Sequence, residues 1–169
     1  TMTLCRTCLA AALALTVAAP AARADQATLT LSGRVLPGTC VLTAPATALP
    51  DIKANDLTDG SSTLQTVTLR LDACAGVRQA SLDFDGTEEP GNPQVWKNTA
   101  VSGAASGVAF AILDGTSGTT FVRKGSTLTV PVSGASATKA IRVGYFKPAG
   151  AGVNAGALSA EITITAAYQ

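Results

Sequence analysis

The chain contains 169 residues, of which 47% are hydrophobic and 14% charged, and its formal net charge is +1. This length fits one domain with a sizeable core. The nearly balanced charge, without a basic patch or a run of like charges, argues against nucleic-acid binding. The sequence has no histidine, so it lacks the commonest general base and metal ligand.

Residues 1–24 have the features of a secretory signal peptide. Arg6 supplies a short basic region, residues 9–19 form a continuous run of apolar and small residues, and an A-x-A cleavage site ends at Ala24. The apolar run is too short to span a bilayer, which needs about 20 residues. We therefore expect cleavage after Ala24 and a mature chain, residues 25–169, without a membrane span.

Removal of the signal peptide changes the charge and the cysteine content. The predicted mature chain keeps 145 residues, with ten basic and eleven acidic side chains and a net charge of −1. Cys5 and Cys8 leave with the signal peptide, and Cys40 and Cys74 remain. An isolated cysteine pair in an exported chain most often forms a disulfide, although two free thiols are the alternative. We expect a Cys40–Cys74 bond, worth about 3–4 kcal/mol on the chain-entropy estimate.

The mature N-terminus begins with an alternating segment. Apolar or small residues recur at every second position: Ala27, Leu29, Leu31, Gly33 and Val35. Threonine, serine and arginine fill the positions between them. This period of two predicts a strand with one apolar face.

Further short strands are predicted along the body of the chain. Their ranges are 39–43, 64–71, 80–84, 107–113, 119–123, 127–132 and 140–147. Residues 44–62 and 85–106 are rich in Pro, Gly, Asp, Asn and Thr, which indicates surface loops. No segment of ten or more residues has a convincing helical period. This pattern predicts an all-β domain built as an antiparallel sandwich.

The chain ends in a second alternating segment, residues 156–169. Its apolar or small positions are Gly156, Leu158, Ala160, Ile162, Ile164, Ala166 and Tyr168. We expect no segment after Gln169 to pair with this strand, and natural proteins avoid an uncovered apolar edge because it recruits other chains. We expect either residues 27–35 of the same chain or another polypeptide to cover it. The period of two does not separate these alternatives.

Four segments, taken in order, carry a resemblance to a known family. They are residues 31–41, Cys74, residues 105–114 and the tail from residue 153 to 169. The tail is the most specific part, because it has a penultimate tyrosine, Tyr168, and a glycine fourteenth from the end, Gly156. Over the whole mature chain the sequence resembles a chaperone–usher pilus subunit of the type 1 fimbrial family.

The resemblance implies an incomplete immunoglobulin-like β-sandwich that lacks its last strand. A donor strand from a periplasmic chaperone, and then from a neighbouring subunit, completes such a fold, and an outer-membrane usher catalyses the exchange. The implied organisation is a signal peptide (1–24), an N-terminal donor-strand extension (25–36) and a pilin domain (37–169). The implied partners are identical or related pilin subunits, the chaperone and the usher. The implied route leads through the periplasm to a fimbria on the surface of a Gram-negative bacterium.

The resemblance also implies site residues. The donor face is Ala27, Leu29, Leu31, Gly33 and Val35, and Ala27 is smaller than the branched residue often found there. The acceptor groove is formed by Gly156, Leu158, Ala160, Ile162, Ile164, Ala166 and Tyr168, and the chaperone holds the terminal carboxylate of Gln169. We expect Gly156 to face a closely approaching backbone in this groove.

The function expected from these features is that of a structural subunit of an adhesive fimbria, which polymerises by donor-strand exchange and mediates cell adhesion. The alternatives are a secreted single-domain carbohydrate-binding module of adhesin type and a secreted hydrolase. The sequence shows no catalytic constellation, and we expect no enzymatic activity, metal or cofactor. Asp83-Phe-Asp85-Gly86 is similar to the start of a calcium loop but lacks its later ligands.

Overall fold

The computed structural model describes residues 29–169 of the chain. The chain divides into two units, Thr1–Arg34 and Val35–Gln169. In the first unit, the described residues 29–34 form no strand. The predicted signal peptide, its cleavage site and Ala27 lie outside the described residues.

The second unit consists of β-strands and one short 3₁₀ turn at Ala54–Asp56. In chain order the strands are β1 (Thr39–Thr43), β2 (Gly60–Ala75), β3 (Gln79–Gly86), β4 (Glu88–Glu89), β5 (Asn92–Trp96), β6 (Ala109–Asp114), β7 (Thr127–Pro131), β8 (Ala137–Lys147) and β9 (Ile162–Tyr168). This confirms the predicted all-β class.

The strands form two antiparallel sheets. The larger sheet has the order β1-β2-β8-β6-β5-β4, and the smaller has the order β7-β3-β9. Every second residue of the central strands is buried, as at Leu69 and Leu71 in β2 and at Leu82 and Phe84 in β3. These side chains pack in one cluster between the sheets, so alternation in the sequence becomes a two-layer sandwich.

Two contacts fix the sandwich at particular points. Cys40 in β1 and Cys74 in β2 form a disulfide bond, as the sequence predicts. Trp96 is fully buried, and its indole Nε1 donates a hydrogen bond to the Val122 carbonyl at 3.0 Å. The largest side chain of the core therefore has its single polar atom satisfied.

The structure corrects three details of the predicted strands. Residues 119–123 form only an isolated bridge, between Leu113 and Phe121. The bonds of this bridge run from the Asp114 N–H to the Thr120 carbonyl and from the Val122 N–H to the Ile112 carbonyl. The predicted loop 85–106 contains the short β4–β5 hairpin. The ladder of the terminal strand begins at Ile162 and not at Gly156, because residues 156–161 bond to a loop instead of to β3.

Candidate functional site: an open strand edge beside an apolar groove

The last strand of the chain lies at the edge of the smaller sheet. β9 pairs with β3 on one side, from Ile162 opposite Gly86 to Tyr168 opposite Ala80. Within residues 35–169, no strand pairs with its other side. One edge of β9 is therefore open.

The pairing with β3 determines which backbone groups face the open edge. Gln79 and Gln169 exchange both backbone hydrogen bonds, at 3.1 and 2.9 Å. In an antiparallel ladder such hydrogen-bonded pairs recur at every second residue, so Ala167, Thr165 and Thr163 also direct their N–H and C=O groups towards β3. The even-numbered residues from Ile162 to Tyr168 consequently direct theirs to the open edge.

The same even-numbered residues turn their side chains inwards. The half-buried positions of the terminal segment are Leu158, Ala160, Ile162, Ile164, Ala166 and Tyr168. The residues between them are exposed. The open edge thus combines unpaired backbone groups with an inward-facing row of mainly apolar side chains.

Four members of this row, Leu158, Ala160, Ile162 and Ile164, line a groove of about 1000 Å³. Ala166 and Tyr168 instead pack against the main core cluster. Side chains from both sheets line the groove, including Val67 and Leu69 from β2, Phe84 from β3 and Ile141 and Val143 from β8. Asp51 and Glu161 are the charged residues among its lining. The groove is therefore suited to a polypeptide with an apolar face.

The opposite wall is formed by residues 44–57, a segment that the sequence indicated only as a surface loop. Leu57 is buried against Val108 and Tyr145, and Leu49 and Ile52 pack on the same cluster. The Tyr145 hydroxyl donates a hydrogen bond to the Pro50 carbonyl at 3.1 Å. Burial, with a contribution from Asp51, raises the pKa of the Tyr145 phenol.

At the disulfide end, Tyr168 connects the two sheets. Its hydroxyl donates a hydrogen bond to the carbonyl of Cys40 at 3.0 Å. The carbonyl oxygen of Gln169 accepts hydrogen bonds from the N–H groups of Arg78 and Gln79. The penultimate tyrosine therefore ties β9 to β1 next to the disulfide.

Gly156 lies at the other end and faces a backbone of its own chain. A Cβ atom built on Gly156 would lie 2.4 Å from the Gly103 carbonyl oxygen and 2.5 Å from the Ala105 nitrogen. This close approach is made by residues 103–105 of the same chain, so the expected approach of an incoming strand to Gly156 stays a prediction. Gly156 also lines the groove.

The described part of the predicted donor segment has exposed apolar side chains. Leu29 is 80% exposed, Leu31 83% and Val35 97%. A Cβ atom on Gly33 would have no neighbour within 4 Å. The apolar side chains of this segment are therefore exposed, and its described residues form no strand.

Other polar groups have local structural roles. Asp83 accepts a hydrogen bond from the Thr127 hydroxyl, and Asp85 forms an ion pair with Lys124 at 3.3 Å. Among residues 29–169, no three His, Cys, Asp or Glu side chains group as metal ligands would. That part of the chain also has no helix whose length and apolar character would let it cross a membrane.

Three solved structures share this fold. The P pilus rod subunit PapA matches 77% of this chain over 99% of its own, with 18% identity and a TM-score of 0.64. An antigen and type I fimbria protein of Burkholderia pseudomallei matches 78% of this chain over 89% of its own, with 24% identity and a TM-score of 0.56. The CupB6 tip adhesin of Pseudomonas aeruginosa matches 77% of this chain with 18% identity and a TM-score of 0.62, and this chain spans 38% of the adhesin.

None of the curated proteins compared with this sequence matches it. The family model described as "Fimbrial protein" matches residues 10–169, which include every strand of the sandwich and the open edge of β9. The chain therefore belongs to the fimbrial protein family.

Proposed function

We propose that this protein is a structural subunit of an adhesive fimbria and that it polymerises by donor-strand exchange. The observation that carries the proposal is the open edge of β9 beside the apolar groove. An added strand satisfies the unpaired backbone groups of such an edge, and side-chain pockets give the pairing its specificity. The occupant is the N-terminal segment of a second subunit, residues 25–36.

The donor segment and the groove have matching chemistry. Leu29, Leu31 and Val35 are spaced by even numbers of residues, so an extended chain turns all three to one face. The groove offers apolar lining from both sheets. Ala27 and Gly33 occupy the remaining positions of that face and contribute little side-chain contact.

Before assembly, the open edge is an aggregation hazard. We propose that a periplasmic chaperone occupies the groove during export and that an outer-membrane usher replaces the chaperone strand with the next subunit's donor. Cleavage after Ala24 releases the donor segment, with Asp25 as its first residue. We propose that the chaperone binds the terminal carboxylate of Gln169. In this proposal the assembled fimbria on the cell surface, and not the single subunit, mediates adhesion.

Cells that express the subunit test this function directly. Leu31→Asp places a carboxylate on the apolar donor face, where burial without a partner is costly. Thr30→Asp introduces the same charge on the opposite face and is the matched control. We expect immunolabelled fimbriae in electron micrographs of wild-type and Thr30→Asp cells, and their loss in Leu31→Asp cells. Equal numbers of fimbriae on both variants would contradict donation through this face.

A further inference from the structure

The end of the groove near Leu158 is built by the loop of residues 98–106, through its backbone and the side chain of Asn98. Residues 156–161 precede the β9 ladder and have no β-strand partner within residues 29–169. Their side chains nevertheless alternate between exposed and half-buried from residue 157 to 161, as in β9, and the loop of residues 98–106 hydrogen-bonds to Ala157 and Ser159. Asn98 is the centre of that contact.

All four hydrogen-bonding positions of the Asn98 amide are used. Its Nδ2 donates to the carbonyls of Ala105 and Ala157, both at 3.0 Å. Its Oδ1 accepts from the N–H groups of Ala100 at 3.1 Å and of Ser159 at 3.0 Å. A primary amide has two donors and one acceptor oxygen with two lone pairs, so this side chain is fully satisfied.

The loop backbone completes the pattern around Asn98. The Ala157 N–H donates to the Gly103 carbonyl at 2.6 Å, and its carbonyl accepts from the Ala105 N–H at 2.9 Å. The Ser159 carbonyl accepts from the Thr99 N–H at 2.7 Å. Of the N–H and C=O groups of Ala157 and Ser159, only the Ser159 N–H has no partner in the loop backbone, and the Asn98 Oδ1 is its acceptor.

These bonds have a consequence for the open edge. Ala157 and Ser159 are odd-numbered, as are the β9 residues that bond to β3. Leu158 and Ala160 therefore direct their backbone groups to the same open edge as Ile162 to Tyr168. No hydrogen bond to either N–H group is formed within residues 29–169. The edge is continuous from Leu158 to Tyr168.

We propose that Asn98 is a positioning residue that lengthens the acceptor edge beyond the β9 ladder. The ladder alone offers four inward-facing positions, at Ile162, Ile164, Ala166 and Tyr168, whereas the extended edge offers six. The donor face has five positions, from residue 27 to residue 35. At 3.4 Å per residue the donor spans about 27 Å, the ladder about 20 Å and the extended edge about 34 Å. Only the extended edge accommodates the whole donor.

This inference rests on the proposed function, and one experiment separates the two. The complemented chain consists of residues 25–169, a flexible linker and a second copy of residues 25–36 after Gln169. Amide hydrogen exchange is followed by NMR in this chain. We expect protection at Ile164 and Ala166 and also at Leu158 and Ala160, because an added strand accepts a hydrogen bond from each of these N–H groups.

Variants then test the role of Asn98. Asn98→Ala removes four hydrogen bonds, and we expect exchange at Leu158 and Ala160 to rise about tenfold or more, while Ile164 and Ala166 stay within about twofold. Asn98→Asp keeps the acceptor, loses both donors and should give the same local change, so it serves if the alanine variant does not fold. The control is Asn92→Ala, which removes only a contact to the Gln94 N–H within β5 and should change neither set.

The outcomes distinguish the two claims. If the donor copy protects none of the four amides, donor-strand addition to β9 is wrong. If it protects Ile164 and Ala166 but not Leu158 and Ala160, the edge ends at the ladder and the proposed role of Asn98 is wrong. An equal rise at all four amides in the Asn98 variants would assign Asn98 a general stabilising role and overturn its role in positioning.

Discussion

At the scale of single residues, Gly156 marks a place where two backbones leave no room for a side chain. The nearest atoms to a Cβ there belong to the backbone of Gly103, Ala104 and Ala105, which cannot rotate away as a flexible side chain would. The loop that these residues form also bonds to Ala157. A change at Gly156 therefore acts on the wall of the groove before any donor binds.

Substitution of Gly156 tests this account. We expect Gly156→Ala to destabilise the complemented chain by about 1–3 kcal/mol, the usual cost of forcing atoms into a packed site. Gly152→Ala is the matched control, because a Cβ at Gly152 has no neighbour within 4 Å. Urea unfolding of both variants measures the difference. Equal stability of the two would show that residues 103–105 move away at little cost.

At the scale of elements, the segment of residues 44–57 converts an open edge into a groove with two walls. The hydrogen bond from Tyr145 to the Pro50 carbonyl and the burial of Leu57 hold this segment to the body of the sandwich. It has no strand of its own and only one short 3₁₀ turn. Its position therefore depends on a few side chains, of which Tyr145 is ionisable.

Tyr145 gives this attachment a pH dependence. Burial and Asp51 raise the pKa of Tyr145 in the folded protein above the ordinary tyrosine value of 10.0. The unfolded chain therefore loses this proton first, and the stability that the neutral phenol contributes is present below about pH 10 and is lost as the pH rises through the raised pKa.

The variant Tyr145→Phe removes both the hydrogen bond and this titration. In the complemented chain we expect it to cost about 0.5–1.5 kcal/mol at pH 7 and to lose less stability than the wild type on going to about pH 11. Urea unfolding at the two pH values measures both effects. All ionisable groups other than Tyr145 are the same in the two proteins, so a difference between their losses of stability is due to Tyr145. Parallel losses in the two proteins would show that Tyr145 does not contribute to the pH dependence.

The strands that the sequence predicted correctly are those in which apolar and polar residues alternate and the apolar residues are the more buried ones. β1 has the predicted range 39–43, and the even-numbered row from Leu158 to Tyr168 faces inwards as its apolar pattern indicated. The disulfide was expected from the predicted export signal and the two cysteines that would remain after cleavage. These features depend on local pattern, so one sequence is enough to find them.

The walls of the groove were not predictable in the same way. Residues 44–57 and 98–106 have the composition of loops, and their positions depend on contacts with residues far away in the sequence, such as Tyr145 with Pro50 and Asn98 with Ser159. The β4–β5 hairpin is short, and its turn at Gly91 gives little periodic signal. An asparagine in a loop carries no pattern that reveals its four hydrogen-bonding partners.

At the scale of the whole molecule, we expect the proposed donor segment to supply a large share of the stability. Burial of Leu29, Leu31 and Val35 contributes about 5–9 kcal/mol, at about 1.5–3 kcal/mol for each large apolar side chain. The total stability of a small domain is about 5–15 kcal/mol. If donor-strand addition operates as proposed, we expect a subunit without a donor in its groove to be poorly folded or aggregated, so that folding depends on assembly.

Three forms of the protein test this coupling most directly. The first lacks residues 25–35, the second is that shortened chain with a linker and residues 25–36 appended after Gln169, and the third carries Leu31→Asp in the appended copy. Thermal unfolding and size-exclusion chromatography are measured on all three. We expect the first form to aggregate or unfold at low temperature, the second to be a monomer with a much higher unfolding midpoint, and the third to lose that gain. A stable monomer of the first form, with no change on appending the strand, would contradict the account, because the sandwich would then be closed without a donor.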